Sequence, residues 1–138
     1  MLQFTTFPMH VEGGLITLRQ ILEKLPRNNL LWHILDFEGV GTAPGGMTMK
    51  TFEQAVHASP EGYSLNWDEL LTFASGIEQT WNCLIVGSQL GAMIVAEHIE
   101  AENFADCRYV VQAFDSTEWS IGTSNEMVGD QFMKAISH

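Results

Sequence analysis

The sequence predicts an α+β domain, with a mostly antiparallel sheet of about five to six strands and roughly three to four helices packed on it. Strand-like and helix-like segments interleave irregularly, which is not the regular alternation of a parallel α/β fold. Two β-rich runs near the C-terminus are joined by a short polar turn, the pattern of an antiparallel hairpin. No linker, repeat or low-complexity tract divides the chain, so residues 1–138 are expected to form a single globular domain.

The first 46 residues predict two strands, one helix and a loop. Leu2–Phe7 is rich in Thr and Phe, which suits a strand. Leucine and isoleucine recur at helical spacing over residues 15–25, so we expect an amphipathic helix that Pro26 ends. The apolar run Leu30–Phe37 indicates a strand that is buried on most of both faces. Gly39–Gly46 holds four glycines and a proline, and we expect a mobile loop there.

Two further helices are expected in the middle of the chain, and we expect the helices to lie on one face of the sheet. Phe52, Ala55 and Val56 indicate a short helix before Pro60, with Thr48 or Thr51 as its N-cap. The stronger signal is the segment around Trp67, where Asn66 and Glu69 have the spacing of a capping box and Leu65 and Leu70 that of a hydrophobic staple. This second helix should run to about Ser75 and end at Gly76.

The C-terminal part predicts a buried strand, a hairpin and a last helix. Trp81–Val86 is a continuous apolar strand pattern interrupted by one Asn. Residues 88–105 fit either a strand or a helix, and we favour a strand at 91–96. Tyr109–Phe114 and Glu118–Gly122 form the hairpin around Asp115-Ser116-Thr117. Ser124 then caps a helix whose apolar face comprises Val128, Phe132, Ala135 and Ile136.

The charge balance restricts the possible partners. Seventeen acidic residues against six Lys and Arg give the 138-residue chain a formal net charge of -11. This excess disfavours binding to nucleic acids and to anionic membranes. The N-terminus lacks the basic start and apolar stretch of a secretory signal, so a cytoplasmic location is expected. Cys83 and Cys107 have no metal-ligand spacing and are expected to be free thiols.

No catalytic or metal-binding motif is present in the sequence. The glycine-rich segment 39–46 lacks the Gly-Lys-Ser/Thr ending of a phosphate-binding loop, and Pro44 occupies the position of the third glycine of G-x-G-x-x-G. The histidines form no H-x-x-x-H pair, and no serine lies in G-x-S-x-G. The acid–histidine cluster at residues 97–102 supplies no convincing set of three ligands. We therefore expect no enzyme activity, no cofactor and no metal.

Two segments resemble a known class of proteins. Gly62–Leu70 (GYSLNWDEL) and Phe114–Ile121 (FDSTEWSI), together with Leu31–Ile34 (LWHI), are similar to segments of small acidic bacterial immunity-type proteins of polymorphic or contact-dependent toxin systems. The resemblance spans roughly residues 30–133. It implies a non-enzymatic protein-binding module that neutralises a cognate basic toxin through an acidic surface.

The predicted partner-binding residues are Asp115, Glu118 and Trp119, joined by Asp36 and Glu38 beside the glycine-rich segment. An acidic edge of this kind is complementary to a basic protein and speeds its association. Two alternatives stay open at the level of sequence. One is a small-molecule-binding domain or a minor enzyme with a pocket near residues 39–46. The other is a homodimer in which exposed Trp and Met residues pack against a second copy.

Overall fold

A six-stranded antiparallel sheet dominates the computed structural model, which describes residues 2–124. Its strand order is β1-β8-β7-β6-β4-β5, and β2 and β3 form a separate two-stranded hairpin. The predicted α+β class is thereby confirmed. The elements in chain order are β1 Gln3–Pro8, β2 His10–Val11, β3 Gly14–Leu15, α1 Leu18–Glu23, β4 Leu31–Gly41, α2 Met49–His57, β5 Tyr63–Leu65, α3 Trp67–Ser75, β6 Ile77–Ser88, α4 Ala96–Glu100, β7 Cys107–Phe114 and β8 Glu118–Thr123.

Local signals place α2 and α3 accurately, because each of these helices begins at a capping residue that the sequence identifies. The structure selects Thr48 as the N-cap of α2, since its side chain accepts a hydrogen bond from the amide of Thr51. Asn66 and Glu69 form the predicted capping box, and α3 ends at Ser75 with Gly76 as its C-cap. The first helix is shorter than predicted: α1 begins at Leu18, after Thr17 caps it, because Leu15 belongs to the β2–β3 hairpin.

The glycine-rich segment is only partly a loop. β4 continues through Gly41, so Gly39 and Gly41 lie within the sheet. A Cβ at Gly39 would lie 2.5 Å from the carbonyl oxygen of Gln79, and one at Gly41 would collide with the carbonyl oxygen of Gly76. These two glycines therefore permit close approach of neighbouring backbone. Residues Pro44–Gly46 form a 3₁₀ turn.

The predicted strand at residues 91–96 is wrong. Residues 89–95 form no strand, and α4 occupies Ala96–Glu100. The amide of Ala96 donates a 2.6 Å hydrogen bond to the carbonyl of Pro60, which is distant in sequence. Ile94 and Ile99 are buried at 4% exposure each. This long-range anchoring is invisible to a local pattern and decides the conformation of the segment.

The two faces of the sheet are covered differently. Helices α1, α2 and α3 cover the main core, which includes the fully buried Trp32, Phe37 and Trp119. On the opposite face, α4 and the segment before it pack over a smaller cluster with Val86 and Val110 at its centre. The helices are therefore not all on one face, contrary to prediction. None of the helices in the described part of the chain is long and apolar enough to cross a membrane.

The C-terminal hairpin is confirmed, with β7 and β8 paired from Tyr109–Thr123 to Phe114–Glu118. The β2–β3 hairpin and the short edge strand β5 were not predicted from the sequence. The predicted last helix beyond Ser124 lies outside the described residues.

Candidate functional site

Four of the five predicted partner-binding residues lie on, or at the edge of, the sheet face that α4 leaves partly uncovered. Glu38 pairs with Asn82 in the β4–β6 register, and Glu118 pairs with Phe114 in the β7–β8 register. Extending the β6–β7 register by one residue beyond Cys83–Ala113 places Asn82 opposite Phe114. Residues opposite one another in an antiparallel sheet point to the same face, so Glu38 and Glu118 share a face at a separation of about 14 Å, or three strand spacings.

Asp36 and Glu38 form one end of this row. They are two positions apart in β4 and therefore point to the same face, as the sequence predicts. Asp36 Oδ1 lies 3.0 Å from Nε2 of His57 on α2, and the Asp36 side chain is 38% exposed. Glu38 is exposed and accepts a hydrogen bond from Nδ2 of Asn82 at 3.4 Å.

Asp115 forms the other end, in a turn that is firmly held. Asp115 and Ser116 have φ values of 47° and 60°, the pair of positive angles that a type I′ turn requires. The amide of Asp115 donates to Oδ1 of Asn82 at 3.0 Å, and the amide of Ser116 donates to the carbonyl of Trp81 at 2.8 Å. On the other side of the turn, the amide of Met9 donates to the carbonyl of Thr117 at 2.8 Å. Asp115 is thus exposed on a fixed backbone.

Asn82 links the two ends of the surface. One side-chain atom contacts the carboxylate of Glu38, and another accepts from the backbone of Asp115. Sequence reasoning missed this residue, although Asn82 is the one polar residue in the apolar run Trp81–Val86 and is therefore the least suited to a buried position.

Glu53 on α2 adds a carboxylate that sequence reasoning also missed. Partial burial raises the pKa of this group, and the negative charges of Glu38 and Asp36 raise it further. Glu53 is therefore a neighbour of these two carboxylates. We name the set Asp36, Glu38, Glu53, Asp115 and Glu118 the acidic strip.

Two aromatic residues with partly exposed side chains adjoin the turn at Asp115, in the chain or through a backbone contact. Phe114 is 43% exposed and immediately precedes Asp115, and Trp81 is 42% exposed with its carbonyl bonded to the turn. Aromatic residues are enriched at the energetic centres of protein interfaces. The combination of partly exposed rings and surrounding carboxylates is suited to a partner with basic and apolar side chains.

Trp119 does not belong to this surface, and its prediction as a partner contact is wrong. The side chain is 0% exposed, and its Nε1 donates a 3.0 Å hydrogen bond to the carbonyl of Ile16. Because successive strand residues point to opposite faces, the exposure of Glu118 directs Trp119 into the main core.

Within the described part of the chain, no Lys or Arg forms an ion pair with the acidic strip. The two ion pairs that involve arginine join Arg19 to Glu23 and Arg27 to Asp68, both elsewhere on the molecule. Among the described residues, the salt-bridge contact that the strip does make joins Asp36 to His57. The field of the strip therefore extends toward an incoming partner.

The cysteines are poor nucleophiles. Burial raises the pKa of the Cys83 thiol far above its ordinary value. Burial and the charge of Asp106 raise the pKa of Cys107 to about 11. Both thiols are free and buried, and protonated thiols do not attack substrates efficiently. Among residues 2–124, no group of three or more His, Cys, Asp and Glu side chains is arranged to hold a metal ion.

A serine–histidine contact is present, but its hydrogen bonding opposes catalysis. Oγ of Ser64 lies 3.3 Å from Nδ1 of His33, and the carbonyl of Glu61 lies 3.0 Å from the same nitrogen. A carbonyl only accepts, so Nδ1 carries the proton and cannot take one from Ser64. His33 is 2% exposed, and burial lowers its pKa. Its Nε2 is buried without a partner among the described residues.

Comparison of the chain with protein-family models, with curated proteins and with solved structures finds no match.

Proposed function

We propose that this chain is a non-enzymatic protein-binding module that recognises a basic protein through the acidic strip. The observation that supports this most strongly is the convergence of two segments distant in sequence. Asp36 and Glu38 on β4 share a sheet face with Glu118 on β8, and Asp115 is joined to them through Asn82.

Electrostatic attraction would act mainly on the rate of association. The strip spans about 14 Å, and the screening length is about 10 Å at 0.1 M salt. Several carboxylates therefore act together on an approaching basic surface at low ionic strength. Phe114 and Trp81, which are partly exposed, supply apolar area that would slow dissociation once the partner is in place.

The rigidity of the turn at Asp115 supports the same function. Hydrogen bonds from Asp115 to Asn82, from Ser116 to Trp81 and from Met9 to Thr117 order this turn before any partner arrives. Less conformational entropy is then lost on binding, which strengthens the complex without adding contacts.

The more specific form of the proposal is an immunity protein that neutralises a cognate bacterial toxin. It is supported by the resemblance of Gly62–Leu70 and Phe114–Ile121 to immunity-type proteins and by the net charge of -11. An enzyme that acts on nucleic acid needs a basic substrate surface, and an acidic strip that covers this surface would exclude the substrate.

The test measures the rate at which this chain associates with the purified protein that the reading frame next to its own gene encodes. The variant D115K/E118K reverses two charges of the strip. The control variant E100K/D106K makes the same change in net charge at exposed residues outside the strip. We expect D115K/E118K to lower the association rate by about tenfold or more at low salt and to reduce its salt dependence.

Two outcomes would contradict the proposal. Equal association rates for D115K/E118K and the wild type would remove the strip from the interface. Equal losses in D115K/E118K and E100K/D106K would show that only overall charge matters. Because both substituted strip residues are exposed, circular dichroism spectra of the variants should match that of the wild type.

A further inference from the structure

A cavity of about 590 Å³ lies between α3 and the residues that follow β4. Its size is within the range of small-molecule sites, about 300–1,000 Å³. This cavity is separate from the acidic strip: its lining includes Tyr63, Leu65, Asp68, Glu69, Thr72 and Phe73, and no residue of the strip contributes to it.

The wall of the cavity is fixed by backbone contacts. The amide of Thr42 donates a 2.8 Å hydrogen bond to the carbonyl of Gly76, which ties the segment after β4 to the end of α3. The capping box at Asn66 fixes the other end of α3. The segment after β4 and the capped helix α3 are thus held in fixed positions on the two sides of the cavity, so the cavity is largely preformed.

The apolar part of the lining is aromatic and aliphatic. Phe73 and Leu65 are buried at 5% and 7% exposure, and Ala43 is buried at 6%. Tyr63 is partly exposed, and its ring packs edge-on against Phe52, which in turn contacts Phe73. This surface would contact the apolar body of a ligand.

The charged part of the lining has one sign. Among residues 2–124, Asp68 and Glu69 are the only charged residues of the lining, and no Lys, Arg or His contributes to it. Glu69 Oε1 accepts from the amide of Asn66, and Asp68 Oδ2 contacts Arg27, so each carboxylate keeps a second oxygen free of these contacts. Thr72 donates its hydroxyl proton to the carbonyl of Asp68 and retains its lone pairs. The mouth therefore offers hydrogen-bond acceptors and negative charge.

We propose that this cavity binds a small organic cation, an amine or quaternary ammonium compound with an aromatic or apolar body. The ammonium group would lie near Asp68 and Glu69, and the body would lie against Leu65 and Phe73. Repulsion by the two carboxylates disfavours phosphates and carboxylic acids, and the ion pair with Arg27 offsets part of the charge of Asp68. This inference is independent of the protein-binding function, because it concerns different residues.

Four probes are used, and three of them share one indole body but differ in charge. Tryptamine is cationic, tryptophol is neutral and indole-3-propionate is anionic, and benzyltrimethylammonium is a second cation with another body. Binding is measured by calorimetry and by the rise in melting temperature. We expect tryptamine to bind with a Kd below about 1 mM and about tenfold or more tighter than tryptophol.

Two variants locate the site. D68N/E69Q removes both charges and keeps the capping pattern, since glutamine serves as well as glutamate at the third helical position. It should reduce the affinity for tryptamine to that for tryptophol. Thr72→Phe introduces bulk at an exposed helix position in the cavity lining and should weaken the binding of both tryptamine and tryptophol. The matched controls are E100Q/D106N and Thr51→Phe, which change exposed residues outside the cavity and should leave both affinities unchanged.

The proposal is overturned by any of three results. Equal affinity for the three indole probes would show an apolar pocket without charge selection. Unchanged binding in the Thr72→Phe variant would place the ligand elsewhere. Absence of binding of both cations to the wild-type protein at millimolar concentration would exclude the ligand class. Denaturation curves of each variant show whether loss of binding follows loss of folding.

Discussion

Replacing Asn82 by Ala should destabilise the fold, because this side chain holds the turn at Asp115. The 3.0 Å hydrogen bond from the amide of Asp115 to Oδ1 of Asn82 is lost in the variant. A neutral bond of this kind contributes about 1 kcal/mol net. The 3.4 Å contact with Glu38 is longer and adds little. The remaining bond from Ser116 to Trp81 should keep the turn folded.

Urea denaturation measures this effect. With a slope of about 2 kcal/mol per molar urea, a loss of about 1 kcal/mol lowers the midpoint by about 0.5 M. Asn103→Ala is the matched control, since Asn103 is exposed and its only described side-chain bond, to the amide of Ala105, is 3.5 Å long. Its effect should stay within about 0.5 kcal/mol. A midpoint for Asn82→Ala that equals that of the wild type would refute the role of this residue in holding the turn at Asp115.

Three further predictions concern the fold. Asn66→Ala removes the N-terminal cap of α3 and should cost about 1 kcal/mol in thermal unfolding, while Asn66→Asp retains it; equal stability of the two variants would contradict the capping role. Burial lowers the pKa of His33 below its ordinary 6.5, so the contribution of this residue to stability is complete above pH 6.5 and declines as the pH falls. The variant His33→Asn, which can still donate to the carbonyl of Glu61, should flatten the dependence of the unfolding free energy on pH. An unchanged slope of unfolding free energy against pH would contradict this. Gly87→Ala places a Cβ about 2.9 Å from the buried ring of Trp32 and should cost about 1–3 kcal/mol, which a wild-type melting temperature would disprove.

The elements predicted best from the sequence are those that local interactions determine. The capping residue of α3, its last residue and its C-cap glycine are all within a stretch of eleven residues, and the structure confirms each of them. The hairpin around Asp115 is similar, since two β-rich runs flank a three-residue polar turn. In both cases the atoms that decide the conformation are close in sequence.

The errors occur where distant contacts decide the conformation. The pattern of residues 91–96 predicts a strand, but Ala96 is bonded to Pro60 and Ile94 packs under the sheet. The glycines at 39 and 41 predict a loop, whereas they allow β4 to pass close to Gln79 and Gly76. No local pattern contains the positions of these partners.

The acids of the candidate site could be predicted from the sequence, but their geometry could not. The sequence identified Asp36, Glu38, Asp115 and Glu118, and the register then placed them together. Trp119 was an avoidable error, because strand alternation excludes it from the face that carries Glu118. Glu53 could not have been predicted, since its proximity to the strip depends on how α2 packs on β4.

The most direct test of the central claim is a growth measurement on cells that express the product of the neighbouring reading frame. We predict that this product arrests growth, that the wild-type chain and E100K/D106K restore it, and that D115K/E118K does not. A neighbouring product that is harmless would contradict the immunity proposal. Full rescue by D115K/E118K at equal expression would contradict recognition through the acidic strip.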